Sequence, residues 1–526
     1  MSRLDQVRKL LPSSLSSSSS LEYDSDSNNS ANNKDGDEDY HHRTITPQDS
    51  GTLSLFAVRM VMLIATATIG TLKALLVVLG IIDLIVGIYG MLVISLFFVA
   101  FFLAYSKYRD PSKIQQMQGN NSSTNNNEQQ QPRQQQQQQQ QSIIINADST
   151  ASPLTQSHHY QPEVSIIIPV YNEEHLIKET VKACLEAAYP PEKIEVILVN
   201  DGSTDGTYAV LDSLKRDHGN RVKIVHLPRN AGKRKAIKEG ILQGQARGEI
   251  IVLVDSDSAM DRLAIQRLVD AFSGDPDLGA ATGHGRVKNA GQNMLTRIQE
   301  TWYDGQFSIM KGMESTFDTV SCCSGILSAY RREAIMPCLD RWSDDKFLGV
   351  EFSPGDDRHL TAYVLGGTRH YIDKSSKVWK VKYVSSAVTY TAVPSTLRQL
   401  ARQQTRWKKS WIRMFCFNLP FYFKYRPASA ASIYCLQTAL SFVAPVVAFR
   451  SLVWLPLEGD FTNAVVYLSG IFFIGILFAV EYKLRHPDSG NTWLYRLVLP
   501  AISISILNNL LFYALMTIKK RSWLTR

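Results

Sequence analysis

The stretch IEVILVNDGSTDGT (194–207) joins a short apolar run to a turn built from Asp, Gly, Ser and Thr. The run IEVILV is rich in β-branched residues and predicts a strand that is buried on both faces. The polar residues after it are typical of a turn that leads into a helix. The stretch therefore predicts a strand–turn–helix unit with its polar residues at the carboxyl end of the strand.

Similar units lie on both sides of this stretch, and their alternation decides the fold class. Apolar runs predict further strands at 164–169, 222–227 and 249–254. Intervening segments predict helices at 173–188, 206–217 and 231–246. Buried strands that alternate with helices indicate an α/β domain with a parallel, Rossmann-like sheet. Ligands of such sheets bind beyond the carboxyl ends of the strands.

Acidic and amide residues follow three of these strands, in VYNEE (170–174), NDGSTDGT (200–207) and DSDS (255–258). A turn and a helix cap explain one such loop, but three loops at one sheet edge favour a binding site. Asp255 and Asp257 are alternate residues just past a strand. Their carboxylates suit Mg²⁺ or Mn²⁺ bound together with phosphate oxygens, and a departing diphosphate needs that neutralisation.

Other residues extend this predicted nucleotide site. Glu173 and Asp201 can accept hydrogen bonds from a base and a ribose. In NAGKRKA (230–236), Lys233 stands at a helix start, where its ammonium and free backbone N–H groups favour phosphate. The alternative for this segment is a solvated basic helix face, so its assignment depends on the nearby carboxylates.

The segment GDDRHLT (355–361) opens a helix with two acids. Acids at a helix N-terminus are favourable through the helix dipole alone. The functional alternative is a general base, because a sugar hydroxyl that attacks an anomeric carbon must lose its proton.

The segment RQQTRWKKSW (402–411) places Gln403, Arg406 and Trp407 at i, i+3 and i+4, on one helix face. An indole offers a flat platform for a sugar ring, and a guanidinium can bind diphosphate oxygens bidentately. The surrounding helix also fits an amphipathic helix on the inner membrane leaflet. Both interpretations can hold for different faces of one helix.

Composition divides the chain into six predicted segments. They are a disordered Ser/Asn/Asp-rich tail (1–53), two transmembrane helices (54–106), a polar Gln/Asn-rich linker (107–162), the α/β domain (163–394), amphipathic interface helices (395–428) and a C-terminal transmembrane region (429–526). Lys73 and Asp83 interrupt the first two helices, and we expect both near an interface or a neighbouring helix.

The number of membrane crossings is five or six by this count. Lys107 and Arg109 place the α/β domain in the cytoplasm. Three apolar stretches follow it, near 431–457, 462–482 and 493–518. The basic C-terminus requires an even number of crossings after the domain. Either one stretch is split, for example at Pro445 or Pro500, or one lies flat in the interface.

The overall composition argues against a nucleic-acid-binding protein and against a disulfide-bonded domain. Much of the net charge of +8 lies beside apolar segments, and no zinc-finger spacing or basic repeat indicates nucleic acid. The six cysteines form no C-x-x-C pair, which favours a reduced, cytosol-facing domain.

Together, YNEE, NDGSTDGT, GKRKA, DSDS, CCSGILSAYRREA, GDDRHLT and QQTRW resemble the ordered motifs of processive family 2 glycosyltransferases. The resemblance is closest to hyaluronan synthases, with chitin-synthase-like and cellulose-synthase-like relatives. It implies an α/β, Rossmann-like nucleotide-sugar glycosyltransferase domain of GT-A type, inserted between transmembrane α-helices. Ile326 departs from the pattern, because family members usually have Pro there.

The resemblance also implies a role for each matching residue. The implied roles are a uridine pocket of Tyr171, Glu173 and Asp201; nucleotide binding by Lys233, Asp255 and Arg406; a Mg²⁺ or Mn²⁺ site of Asp255 and Asp257, with Asp257 the more direct ligand; a catalytic base, Asp357, beside Asp356; and an acceptor site of Cys323, Ser324, Gln403 and Trp407.

The activity implied is that of an inverting, metal-dependent enzyme that polymerises UDP-sugars into a β-linked extracellular polysaccharide and translocates it. Its predicted partners are a UDP-sugar donor, the growing polysaccharide and membrane lipid, with no nucleic acid. It is predicted to be a multi-pass plasma membrane protein with a cytoplasmic catalytic domain. The alternatives are a chitin, poly-N-acetylglucosamine or cellulose-like synthase, a non-processive transferase acting on a lipid carrier, and an inactive scaffold. Arg286, Lys288 and Arg331 are candidate cations for a glucuronate carboxylate.

Overall fold

The computed structural model describes residues 52–113 and 160–520. Nearly all of the predicted disordered tail (1–53) and most of the predicted linker (107–162) lie outside the described residues. The described start of the linker is attached to the domain: Asp110 Oδ2 accepts hydrogen bonds from Ser385 Oγ and Ser386 N, both at 2.8 Å.

The α/β domain is built on an eight-stranded sheet, in the described part of the chain, with the order β3–β2–β1–β4–β7–β6–β10–β5. A separate hairpin pairs β8 with β9. The strands are β1 Val164–Val170, β2 Ile194–Asn200, β3 Val222–His226, β4 Ile250–Leu253, β5 Ser258–Met260, β6 Leu278–Val287, β7 Ser328–Arg331, β8 Lys346–Phe347, β9 Val350–Glu351 and β10 Lys380–Thr391.

The first half of the sheet is the parallel one that the sequence predicts. Strands β1 to β4 pair in parallel, with Ile166 opposite Val196 and Val252. Every residue of β2 is buried, because helices cover both faces. The second half was not predicted: β7 runs antiparallel to β4 and β6, and β5 runs antiparallel to β10.

Helices cover the sheet and continue into the apolar regions. They are α1 Thr52–Val78, α2 Leu84–Ser106, α3 Ile177–Leu185, α4 Thr207–His218, α5 Lys233–Leu242, α6 Ala264–Ser273, α7 Met294–Gly305, α8 Gly312–Ser315, α9 Arg332–Ile335, α10 Leu339–Ser343, α11 Asp356–Ala362, α12 Thr368–Tyr371, α13 Leu397–Tyr425, α14 Ala428–Phe449, α15 Leu455–Leu457, α16 Thr462–Arg485, α17 Leu499–Ile502 and α18 Leu510–Met516. Wider π-helical turns join α7 to α8, α11 to α12, α14 to α15 and α17 to α18.

Within the described residues, five helical segments are long and apolar enough to cross a membrane. They are Leu55–Val78, Leu84–Lys113, Ala428–Leu457, Thr462–Arg485 and Thr492–Met516. They include both predicted N-terminal helices and all three predicted C-terminal stretches.

Polar contacts at the end remote from the domain join three of these segments. We call Asp83, Arg450, Asp460 and Asn463 the distal cluster. Arg450 Nη2 donates to Asp83 Oδ2 at 2.6 Å, and Asp83 N donates to Asn463 Oδ1 at 2.9 Å. Asp83 therefore lies against a neighbouring helix, as expected. Lys73 is also buried between helices, with Nζ 3.5 Å from Val466 O.

The last apolar segment begins and ends beside the domain. Near its start, Arg297 Nη1 of α7 donates to Tyr495 Oη at 3.0 Å. Near its end, Lys409 Nζ of α13 donates to Lys520 O at 3.3 Å. Between these points the segment packs along α13, with Leu499 beside Leu400 in one apolar cluster. Both ends of this segment therefore contact elements of the domain side.

Helix α13 is a single long helix where the sequence predicts several interface helices. The Thr396 hydroxyl caps it by accepting from Gln399 N at 3.3 Å. Beyond its other end, Arg426 Nε donates to Leu365 O of the domain at 2.7 Å. Just before the start of α13, Ser395 O accepts from Asn293 Nδ2 of the domain at 2.9 Å. Because both ends are thus held by the domain, α13 lies across it and presents Gln403, Arg406 and Trp407 to the central site.

Candidate active site

One cavity of about 760 Å³ lies at the carboxyl ends of β1, β2 and β4 and continues past α13 to α14 and α18. We call it the central cavity. Its volume is typical of a site for a nucleotide-sized ligand (about 300–1,000 Å³). It brings together nearly all of the predicted site residues: Tyr171, Glu173, Asp201, Lys233, Asp255, Asp257, Ser324, Asp356, Asp357, Gln403, Arg406 and Trp407.

The loops after β1 and β2 form one end of the cavity and brace each other. Asn172 has a positive φ of 56° and its backbone N–H donates to Ser203 Oγ at 3.0 Å. Asp201 is buried, and its two oxygens accept from Ala231 N at 2.7 Å and Gly232 N at 2.9 Å. Asp201 therefore fixes the loop before Lys233, and its remaining lone pairs can still accept from a ligand.

A lysine and two acids form the middle of the cavity. Lys233 Nζ lies 2.5 Å from Asp255 Oδ1 and 3.2 Å from Asp356 Oδ2. Burial lowers the pKa of Lys233, but the attraction of Asp255 and Asp356 outweighs it and raises the pKa overall. Burial likewise opposes ionisation of Asp356, yet Lys233 and Arg234 hold the pKa of Asp356 below its ordinary value. The group carries fixed charges of both signs at neutral pH.

Helix α11 presents the acids of GDDRHLT to this group. Gly355 before the helix has φ +71°, and a Cβ there would lie 1.8 Å from Ser410 Oγ of α13. Glycine is therefore needed both for the left-handed turn and for the close approach of α13. The tight turn brings Asp357 to the cavity wall, where Cys322 Sγ donates to Asp357 Oδ2 at 3.4 Å.

Cys323, a predicted acceptor residue, does not line the cavity. Its side chain is buried in the domain core, and its backbone N–H donates to Thr361 Oγ1 at 2.9 Å. Cys322 and Ser324, on either side, face the cavity instead. Adjacent residues of an extended segment point in opposite directions, so the pair CC alone could not identify the facing residue.

Trp407 lies in an aromatic cluster at the boundary between the domain and the apolar helices. Its ring centroid is 6.2 Å from that of Trp302 and 6.3 Å from that of Tyr303, both on α7. All three residues line the cavity. They offer flat apolar surfaces next to the acids, which is a suitable surface for sugar rings.

Several other cavity residues were not predicted from the sequence. Lys311 Nζ donates to Cys322 O at 2.5 Å and to Ser324 Oγ at 2.9 Å. Glu314 accepts from Ser321 N and Oγ, and burial raises its pKa despite these bonds. Gln437 and Thr438 of α14 line the far part of the cavity. Their polar side chains in an apolar helix were the signal that could have identified this part.

The cations considered for a glucuronate carboxylate lie elsewhere. Arg286 pairs with Glu300 at 3.1 Å, Lys288 with Glu179 at 2.5 Å and Arg331 with Glu249 at 2.9 Å. Each is compensated by a protein carboxylate, and none lines the central cavity. The structure therefore does not place these three residues at the site.

The residues past β4 fit a divalent cation that is shared with a ligand. Asp255 and Asp257 supply hard oxygen donors on the same cavity wall. Among the described residues there is no group of three or more His, Cys, Asp or Glu side chains that could hold a metal ion alone. A cation here would need phosphate oxygens or water to complete its coordination, as Mg²⁺ does at nucleotide sites.

Fold and cavity define a membrane-associated enzyme of the nucleotide-sugar transferase class, and comparison with known proteins agrees. The family described as Glycosyl transferase family 2 matches residues 165–338. A hyaluronan synthase of Streptococcus pyogenes is 32% identical over 375 residues, which cover 70% of this chain and 84% of the relative. An N-acetylglucosaminyltransferase of Azorhizobium caulinodans is 31% identical over 393 residues, covering 73% of this chain and 90% of the relative.

Among solved structures, a mannosyltransferase of Pyrobaculum calidifontis in complex with GDP-Man and Mn²⁺ aligns with a TM-score of 0.42 and 22% identity, over 65% of this chain and 87% of that chain.

The chain belongs to glycosyltransferase family 2. It is a membrane glycosyltransferase similar to hyaluronan synthases and N-acetylglucosaminyltransferases, and the predicted family, fold class and enzyme class are confirmed.

Proposed function

We propose that this protein transfers sugars one after another from UDP-sugars to a β-linked polysaccharide and passes the chain through its own membrane helices. The observation that carries the proposal is the continuity of the central cavity. It joins the acids past β4 and on α11 to Trp407 and then to Thr438 of α14. A chain extended at the acids would lie on the aromatic cluster and point toward the apolar helices.

In the proposed reaction Asp357 acts as the base. A hydroxyl of the terminal acceptor sugar loses its proton to the Asp357 carboxylate as its oxygen attacks the anomeric carbon of the donor. The new glycosidic bond forms while the bond from that carbon to the diphosphate breaks and UDP leaves. Attack opposite the leaving group inverts an α-linked donor to a β-linked product.

The donor is proposed to lie along the edge formed by β1, β2 and β4. Tyr171, Glu173 and Asp201 would hold the uridine, and Arg406 with Lys233 would attract the diphosphate. Asp255 and Asp257 would hold Mg²⁺ or Mn²⁺, which neutralises diphosphate charge when bound. Lys233 already pairs with Asp255 and Asp356, so its ammonium bridges the two carboxylates and offsets their mutual repulsion before a ligand arrives.

The acceptor is proposed to lie on Trp407, with Gln403, Ser324 and Cys322 beside it. Cys322 takes the place of Cys323 in this proposal, because its Sγ faces Asp357. Past Trp407, the cavity is lined by Gln437, Thr438 and Ser441 of α14. These polar groups can hydrogen-bond a passing sugar chain without binding it tightly.

Hyaluronan is the product we propose, on the likeness to the streptococcal hyaluronan synthases. Its uronate sugar needs a cation, and two cavity residues can serve. Lys311 is held by neutral oxygens of Cys322 and Ser324, and the Arg358 guanidinium lies 4.2 Å from the Trp411 ring centroid. Both charges face the cavity and can meet a sugar carboxylate.

The test is to incubate the purified protein with individual UDP-sugars and with pairs, and to digest the product with linkage-specific hydrolases. We expect long polymer only when UDP-glucuronate and UDP-N-acetylglucosamine are both present. Polymer from UDP-N-acetylglucosamine alone would favour the second candidate, a chitin or poly-N-acetylglucosamine synthase, which the Azorhizobium relative supports. A single-sugar lipid would indicate a non-processive transferase, and no UDP release would indicate a scaffold.

The proposed location is the plasma membrane, with the catalytic domain in the cytoplasm beside Lys107 and Arg109. We propose four crossings, by α1, α2, α14 and α16, rather than the five or six expected from composition. The distal cluster closes one end of these helices, whereas the last apolar segment returns to the domain at both of its ends.

A further inference from the structure

The carboxylate of Asp345, between α10 and β8, contacts side chains from three other elements. Arg413 Nη2 donates to Asp345 Oδ1 at 2.8 Å. Arg234 Nη1 lies 3.3 Å from Asp345 Oδ2, and His359 Nδ1 lies 3.4 Å from the same oxygen. The four side chains are 0–11% exposed, so water does not screen these interactions.

Each of these partners lies close in sequence to a residue of the proposed site. Arg234 follows Lys233 on α5, and His359 lies on α11 one half-turn after Asp357. Arg413 lies on α13, two turns after Arg406 and therefore on the same helix face. Neither Asp345 nor its three partners line the central cavity. Asp345 therefore contacts the three helices that carry Lys233, Asp357 and Arg406, although it does not line the cavity itself.

The charges of these side chains make the Asp345 carboxylate important for the packing of α5 against α13. Arg234 and Arg413 are cations, whereas burial and the nearby arginines lower the pKa of His359 well below its ordinary value, so its ring is neutral. Asp345 is the carboxylate that both arginines contact. Without it, two buried like charges at α5 and α13 would repel each other, and both would lose the carboxylate that they share.

We propose that Asp345 is a positioning residue that holds α5, α11 and α13 in the mutual arrangement required for sugar transfer. The inference rests on the proposed function, because it concerns the alignment of donor phosphate, base and acceptor platform. Misplacement of reacting groups by about 1 Å costs roughly 100-fold in rate. A small separation of these helices would therefore impair transfer even when each part of the site is intact.

The test compares Asp345→Asn with Asp344→Asn in the purified full chain. Asp344 is a matched control: it is the preceding residue, the charge change is the same, and its side chain is 64% exposed, with Oδ1 3.9 Å from Lys235 Nζ. For each protein we would measure the number of UDP-binding sites, the rate of UDP release per site, and the sugar incorporated per UDP released.

For Asp345→Asn we expect UDP binding to persist, turnover per UDP site to fall roughly 10- to 100-fold, and sugar incorporated per UDP to fall. The last change reports misalignment, because a donor that is no longer aligned with its acceptor is lost to water. A purely structural role would reduce the number of UDP sites and leave both per-site values unchanged. Asp344→Asn should behave like the parent.

Parent-like turnover and incorporation in Asp345→Asn would overturn the proposal. If Asp345→Asn binds no UDP, Asp345→Glu is measured instead, because it keeps the negative charge and moves it by one methylene. It is judged by turnover per UDP site and by sugar incorporated per UDP released. Reduced incorporation per UDP would then support the proposal, and parent-like values would overturn it. If the parent itself transfers no sugar from any UDP-sugar, the proposed function fails independently of Asp345.

Discussion

At the scale of single residues, Asp357 is the group on which the proposed chemistry depends. It stands at the second position of α11, faces the central cavity and contacts Cys322 Sγ rather than a cation. Its neighbour Asp356 is instead tied to Lys233. The two adjacent acids therefore have different surroundings, which supports the proposal that Asp357, rather than Asp356, acts as the base.

Asp357→Asn should lower sugar transfer by about 100- to 10,000-fold, because the amide cannot accept the acceptor's proton. UDP affinity should stay within a factor of about three, since the uridine pocket is unchanged. Transfer assays with parallel UDP titration would check both values. Substantial transfer by this variant would rule out Asp357 as the base.

Lys311→Gln should lower incorporation of a uronate sugar by about 10- to 100-fold and leave N-acetylglucosamine transfer to a suitable acceptor nearly unchanged. A charge-assisted hydrogen bond is worth about 1.5–3 kcal/mol, which corresponds to that factor. Competition between the two donors, measured with labelled sugars, would show the difference. Lys377→Gln, a surface lysine paired with Asp277, is the control. Equal loss for both sugars would contradict a role in carboxylate recognition.

At the scale of elements, the strand–turn–helix units and their order follow from the sequence. Local apolar periodicity predicts β1 to β4 and α3 to α5 within a few residues of their ends. The antiparallel half was missed because β6 (LGAATGHGRV) contains glycine, alanine and polar residues instead of a continuous β-branched run. Its burial comes from neighbours far away in the chain.

Most of the predicted site residues lie together because their motifs follow β1, β2 or β4, or open α5 or α11, at one sheet edge. The partners of these residues could not be predicted. Trp302 and Tyr303 meet Trp407 only after α7 and α13 pack together. Arg286 looked available in the sequence, yet folding places Glu300 beside it. Such pairings depend on tertiary contacts that local patterns do not contain.

Gly355→Ala should lower stability and transfer more than Gly349→Ala. Both glycines have positive φ, so each substitution costs about 1–2 kcal/mol in the backbone. At Gly355 the added Cβ also meets Ser410 of α13, whereas at Gly349 nothing lies within 4 Å. Thermal unfolding and transfer rates of the two variants would separate the backbone cost from the cost of the clash with Ser410. Equal effects in the two variants would contradict the close packing of α11 against α13.

Trp407→Ala should reduce polymer synthesis by about tenfold or more and shorten the product, because the chain loses its platform beside the acids. Truncating a Trp at a binding site costs about 1.4 kcal/mol or more, which is tenfold or greater. Phe423→Ala removes an exposed aromatic of the same helix and is the control. The length of the polysaccharide product, measured on gels, would test this prediction. An unchanged product length would contradict the role of Trp407 as a platform for the sugar chain.

At the scale of the whole molecule, contacts at the two ends of the apolar helices support the proposal of four membrane crossings. Composition alone leaves five candidate spans. The last one contacts α7 near its start and α13 near its end, and both helices belong to the domain side. These contacts join residues that are far apart in the sequence, which explains why the sequence alone left the number of crossings open.

Cysteine labelling tests the four-crossing proposal. In a Cys416→Ser background, Leu457→Cys lies near the distal cluster and should react with a membrane-impermeant maleimide in intact cells. Lys520→Cys lies beside α13 and should react only after the membrane is permeabilised. Labelling of both positions in intact cells would show that the last segment crosses, and that the C-terminus lies opposite the domain.

The central claim is that one cavity holds the donor, the base and the outgoing polymer. An electron cryomicroscopy structure of the Asp357→Asn protein with UDP, Mn²⁺ and a short product oligosaccharide would test it most directly. We predict the nucleotide beside Tyr171 and Asp201, and a continuous oligosaccharide from Trp407 to Thr438 of α14. A nucleotide and an oligosaccharide bound in separate cavities would contradict the claim.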